Sequence, residues 1–211
     1  MSIKLSAKAF AEFVLAGPGE KAQIAWKALH PKSVEVRVIT QYYSAAIKII
    51  RIYHSKGNDP GYLRGQIEAL EKLLDVAATA QARARARNNL RALRAYIEIY
   101  GDRKRKIIAR PRIYHAGGVV RISASPDFAV EEGGKTKLVK LGVTKKKENP
   151  ELIRILLRVM YQAAAQGKLA VEPEDVLYFD VVSAARIRGS QSDADLKTII
   201  DNGCETLAGM C

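Results

Sequence analysis

The sequence predicts an α/β fold: a mixed sheet with a crossover helix, preceded by a largely helical N-terminal half. Three observations carry this. Apolar residues recur at helical spacing through most of the first hundred positions. Two Gly-Gly turns separate short β-branched segments between Ile107 and Thr144. A strongly capped amphipathic segment after Asn149-Pro150 then leads into a continuous apolar run, Val176 to Val182.

Ser6 is placed to cap a first helix with Phe10, Phe13 and Val14 on one face, broken at Gly17-Pro18-Gly19. A second helix is expected from about Glu20 to Leu29 and ends before Pro31. Val34, Val36 and Val38 alternate, whereas Tyr43 to Tyr53 follow a helical period; one helix through the segment is the reading preferred here. After the Asn58-Asp59-Pro60-Gly61 turn come helices over about 61–78 and 80–101, with Gly101 as a stop.

The texture changes near Asp102. Ile107 to Tyr114 reads as one strand, Val119 to Ala124 as a second that Pro126 to Val130 extends or bends, and Lys137 to Thr144 as a third. The helix from Pro150 ends at Gly167, and Ser192 or Asp193 is placed to cap a last helix with Leu196, Ile199 and Ile200. Strand–helix–strand order makes the outer strands parallel, and the preceding hairpins are antiparallel. Residues 107–182 are therefore expected in one mixed sheet. The organisation expected is a helical region, 1–101, and a sheet core, 102–211, packed as one unit.

The chain has 211 residues and a net charge of +13, and this length suffices to bury roughly 70% of the unfolded surface without disulfides or metal. Cys204 and Cys211 form no disulfide framework, and the three histidines form no zinc pattern. No signal peptide or run of roughly 18 apolar residues occurs, so a cytoplasmic protein with no membrane partner is expected. The charge is concentrated: Arg83 to Lys147 holds 18 Lys/Arg against 5 Asp/Glu, which accounts for the whole excess. A localised positive field attracts polyanions, and nucleic acid is the expected partner, DNA ahead of RNA.

Three basic clusters are candidate phosphate contacts. Arg83, Arg87, Arg91 and Arg94 fall on one helix face, where like charges repel unless anions neutralise them. Phosphates are one source of neutralisation; Glu68, Glu71 and Asp75 of the preceding helix are the intramolecular alternative. Arg103, Lys104, Arg105 and Lys106 have only Asp102 nearby in sequence, and Lys145, Lys146 and Lys147 follow the third strand. Both runs read as phosphate sites or as solvated turns.

Ser125-Pro126-Asp127-Phe128, set in this element order behind a helix, resembles the PD-(D/E)xK nuclease superfamily over about residues 85–185. The resemblance implies a nuclease-like core: a helix, a three-strand meander, a crossover helix and a further strand. It also implies a divalent metal such as Mg²⁺, held by Asp127 and an acid two residues before a lysine on the third strand. That half of the motif is missing. Lys140 stands in the acid's register and Gly142 in the lysine's. Candidate replacements are Glu131, Glu132 or the helix acid Glu98, with Lys137 or Lys140 as the lysine. A Gln-x-x-x-Tyr pattern of some members is broken, since Tyr161 and Gln162 are adjacent. The plain alternative is that Pro126-Asp127 is only a turn.

Asp180, on the apolar strand, needs a partner, and a basic residue on a neighbouring strand is preferred over a catalytic role. Tyr42, Tyr43 and Tyr53 read as core or interface. Three function classes stand: a nucleic-acid binder on a degenerate nuclease-like fold with no cofactor; an active Mg²⁺-dependent nuclease with a migrated acid; and an interaction or structural component, with the helical half as a candidate homo-oligomer surface.

Overall fold

The computed structural model describes residues 3–30, 43–100, 105–108, 111, 114–142, 148–180 and 183–210. The proposed helix through Val34–Val38 falls outside them from Ser33 to Tyr42. The described elements are a mixed α/β structure with a helical N-terminal half.

Strand β1 (Ile3–Ser6) leads into α1 (Ala7–Leu15), whose N-cap Ser6 accepts a hydrogen bond from the Ala9 N–H. Helix α2 (Pro18–Leu29) starts two residues earlier than expected, because Pro18 is preset for the first helical position. Helices α3 (Ser44–Ser55), α4 (Pro60–Val76, capped by Asp59) and α5 (Ala80–Tyr100) follow. Among the described residues no helix is long and apolar enough to cross a membrane.

The expectation of one sheet over 107–182 is corrected. Strands β2 (Lys106–Ile108), β5 (Phe128–Glu132), β6 (Lys135–Gly142), β7 (Val176–Asp180) and β8 (Ala185–Arg188) form a five-stranded sheet in the order β2-β5-β6-β7-β8. Strands β3 (Tyr114–Gly117) and β4 (Val120–Ser123) pair instead with β1, in the order β1-β4-β3. The single strand expected over 107–114 is thus two strands in different sheets, with Pro111 between them. The strand expected over 119–130 divides at Ala124 to Asp127. Pro126 lacks the N–H that a continuing ladder needs, so the chain leaves one sheet there and enters the other.

Gly133 and Gly134, at φ +62° and +74°, form the two-residue turn between β5 and β6 that only left-handed backbone closes tightly. The Asn149 side chain caps α6 (Pro150–Gln166) by accepting from the Glu151 N–H. This helix crosses from β6 to the parallel β7.

Strand alternation assigns the faces of the larger sheet. Phe128, Val130, Val139, Leu141, Leu177 and Phe179 pack with α3, α4 and α5. Ala129, Leu138, Val176 and Tyr178 point to the other face, against α1, α6, β1, β4 and α7 (Leu196–Gly209). Asp193 does not cap α7. It is buried and accepts two hydrogen bonds from the Arg154 guanidinium, at 2.9 and 2.6 Å, while Asp195 stands at the N-cap.

Candidate functional site

Asp127 lies in the bend between β4 and β5. Its N–H donates to the Val139 carbonyl and its carboxylate accepts from the Leu141 N–H at 2.8 Å, so it closes the end of the β5–β6 ladder. The other carboxylate oxygen is 3.0 Å from the Lys140 ammonium. The two motif positions, Asp127 and Lys140, are therefore in contact, and the lysine neutralises the acid.

A cavity of about 350 Å³ opens beside this pair. Leu152, Leu156 and Met160 of α6 form an apolar wall, and Ser6 and Ser123 of the smaller sheet, Lys8 of α1 and Ser125 of the bend after β4 also contribute. Lys8 and Glu148 form a second ion pair in the wall, at 2.6 Å. The sequence offers no signal for this pair, whose members are 140 positions apart; Glu148 reads there only as the residue before a helix cap.

Tyr178 completes the site. It is 4% exposed, lines the cavity, and its hydroxyl has no hydrogen-bond partner among the described residues. Burial, and then the carboxylates of Glu148, Asp180 and Asp127, push that hydroxyl well above its ordinary pKa, so it remains a donor. Gly142 makes room for it, since a Cβ at that position would overlap the Tyr178 hydroxyl. The missing side chain at Gly142 is thus a packing requirement. Asp180, buried beside Tyr178, accepts a hydrogen bond from the Ser183 hydroxyl at 2.6 Å.

The candidate replacement acids lie elsewhere. Glu131 and Glu132 are at the opposite end of β5; Glu131 is 3.7 Å from Lys106, and Glu132 binds Lys137 and Arg105. Glu98 is exposed on α5 and does not line the cavity. As arranged, the site does not fit a divalent cation: each cavity carboxylate already carries a lysine ammonium group, which opposes a second positive charge. Among the described residues no three His, Cys, Asp or Glu side chains are grouped to hold a metal.

The basic clusters separate into different environments. Arg83, Arg87, Arg91 and Arg94 are all exposed on one face of α5. Arg94 pairs with Glu71, the intramolecular alternative realised at one position, and Arg83 donates to the Ala77 carbonyl. Arg91 donates to the Tyr43 hydroxyl at 3.3 Å, and Tyr43 itself lines the cavity. Lys106 is exposed. Arg103, Lys104, Lys145, Lys146 and Lys147 lie outside the described residues.

Arg105 is set apart from its neighbours in sequence, for its side chain is fully buried. It donates to both Glu132 oxygens, at 3.3 and 3.5 Å, and to the Tyr96 hydroxyl at 3.4 Å. Tyr96 in turn meets His54 Nε2 at 2.6 Å, and His54 Nδ1 meets Asn58 Oδ1 at 2.6 Å. Burial is the largest cause that lowers the His54 pKa to about 4. Burial pushes Glu132 up, but the Lys137 hydrogen bond and the Arg105 charge outweigh it and hold the carboxyl at about 2.

No family model, curated protein or solved structure matches this chain.

Proposed function

We propose that this chain binds nucleic acid, on a nuclease-like fold whose catalytic motif is incomplete. The observation that carries the reading is the set of four exposed arginines on one face of α5, joined through Arg91 and Tyr43 to the cavity beside Asp127. Such a face repels itself unless anions neutralise it, and phosphates present anions at regular intervals. The larger sheet supports the nuclease-like reading: after α5, with β3 and β4 set aside in the smaller sheet, β2, β5 and β6 run antiparallel side by side, and α6 crosses from β6 to the parallel β7. The Lys140 ammonium on Asp127 supports the non-catalytic part.

A second reading, an active Mg²⁺-dependent nuclease, is favoured by one observation: Glu148 lines the same cavity as Asp127. Displacement of Lys8 and Lys140 would leave two carboxylates there.

One experiment tests both. Labelled duplex and single-stranded oligonucleotides are titrated across a salt series, with and without Mg²⁺ or Mn²⁺. Log affinity is expected to fall linearly with log salt. Replacing Lys145, Lys146 and Lys147 together by Ala should lower the slope on duplex DNA by about three units, roughly 0.9 per lost phosphate contact. No cleavage is expected with either metal. Absence of salt-dependent binding rejects the polyanion reading, and metal-dependent cleavage that Asp127→Ala and Glu148→Gln both abolish establishes the enzyme instead.

A further inference from the structure

The cavity beside Asp127 has a chemistry of its own. Its long wall is apolar, built by Leu152, Leu156 and Met160, and its volume of about 350 Å³ suits a small organic ligand. Its charges are closed into two pairs, Lys140 with Asp127 and Lys8 with Glu148. A singly charged ligand would have to break one pair and leave its counterpart uncompensated, which is costly in a partly buried site. A neutral ligand with hydrogen-bonding edges meets no such cost. The cavity also offers it a donor, because the Tyr178 hydroxyl is aimed into the site and has no hydrogen-bond partner among the described residues. That hydroxyl opens onto the cavity, where a ligand acceptor can replace water in a site of lower dielectric than the bulk.

We propose that this cavity receives one nucleobase, its flat face on the α6 wall and an acceptor on its edge bound by Tyr178. Among neutral rings, the choice of a nucleobase rests on the nucleic-acid reading above. It also rests on continuity, since Tyr43 at the cavity wall is hydrogen-bonded to Arg91 of the exposed arginine face. Backbone phosphates on that face would leave an unstacked or terminal base within reach of the cavity. A duplex with all bases stacked offers none, so single strands and frayed ends are the preferred substrates.

The test uses the full chain titrated with adenosine, guanosine, cytidine, uridine and thymidine, and separately with ribose 5-phosphate and inorganic phosphate, followed by NMR or calorimetry. At least one nucleoside is expected to bind saturably, and neither phosphate compound to compete with it. Tyr178→Phe should weaken that nucleoside about three- to tenfold, the range of one hydrogen bond. Ser123→Phe, which places a ring at the cavity mouth from an exposed strand position, should abolish it while the thermal unfolding midpoint is kept. Failure of every nucleoside to bind overturns the proposal, as does nucleoside binding that neither variant changes, or phosphate binding that Tyr178→Phe weakens. Salt-dependent oligonucleotide binding that persists in the first of these cases leaves the nucleic-acid reading standing and removes only the base site.

Discussion

The two ends of β5 carry the same kind of group and treat it differently. At one end Glu132 accepts from Lys137 at 2.7 Å and from the Arg105 guanidinium, which is buried and also reaches Tyr96. At the other end Asp127 meets one lysine and one backbone N–H, and faces a cavity. Both carboxylates pair with a lysine of β6. The difference lies in what surrounds the pair. Around Glu132 every neighbour is spoken for, in a chain from Lys137 through Glu132, Arg105 and Tyr96 to His54 and Asn58. Around Asp127, Tyr178 is held against Gly142, and its hydroxyl has no hydrogen-bond partner among the described residues. A closed network of this kind fixes structure, and an open one leaves capacity for a ligand.

Removing Arg105 is the strongest way to break the comparison. Arg105→Met is expected to cost about 3 kcal/mol, since it leaves Glu132 and the Tyr96 hydroxyl buried with fewer partners. For a chain of this length that is a fall of about 6–12 °C in melting temperature, measurable by circular dichroism.

Acid sharpens the contrast without mutation. His54 sits at about 4 in the folded chain against 6.5 when unfolded, so the unfolded chain binds its proton first. Its contribution is complete above pH 6.5 and is lost as pH falls toward 4. Glu132, held at about 2 against 4.5, adds stability that is complete above pH 4.5 and is lost as pH falls toward 2. Chemical denaturation measured from pH 7.5 to 3 should show stability falling in both ranges, and Glu132→Gln should flatten the lower one. A profile level from pH 7.5 to 4 would show that His54 is not the buried neutral group described.

The smallest effect is expected at the open end. Lys140→Met removes a partly exposed ion pair and should change stability by at most about 1 kcal/mol in urea unfolding. A loss equal to that of Arg105→Met would erase the distinction between the two ends.

Much of this frame is legible in the sequence, and the reasons are local. Asn149-Pro150 marks α6 because cap and first turn are adjacent, and Gly133-Gly134 marks a hairpin because left-handed backbone is needed there. The illegible parts are those set by distant partners. Ile3 to Ser6 carry too short an alternation to announce a strand, and their partner β4 lies beyond residue 119. Strand β8 is also missed, because Ala185 to Arg188 alternate only weakly. Pro111 and Pro126 are visible, but that the chain changes sheets at them is not. Arg105 reads as one member of a charge run, yet the side chain is buried because Glu132 and Tyr96 wait beneath it. Of the site, Asp127 and Lys140 were found from a motif. Lys8, Glu148 and Tyr178 carry no pattern that separates them from solvent or core.

The parallel pairing of β1 with β4 joins Ile3 to Val120 and Ser6 to Ser123. Contacts so far apart along the chain close slowly, since the intervening segment must be ordered or looped first. At ribosomal speeds of about 5–20 residues per second, the first strand waits several seconds for its neighbour to be made. The cavity takes one wall from this pair and another from α6, so it exists only after residues at both extremes of that wait have met. Tyr178 of β7 completes the lining, so the cavity is assembled late in the biogenesis of the chain, after most of its length has been made.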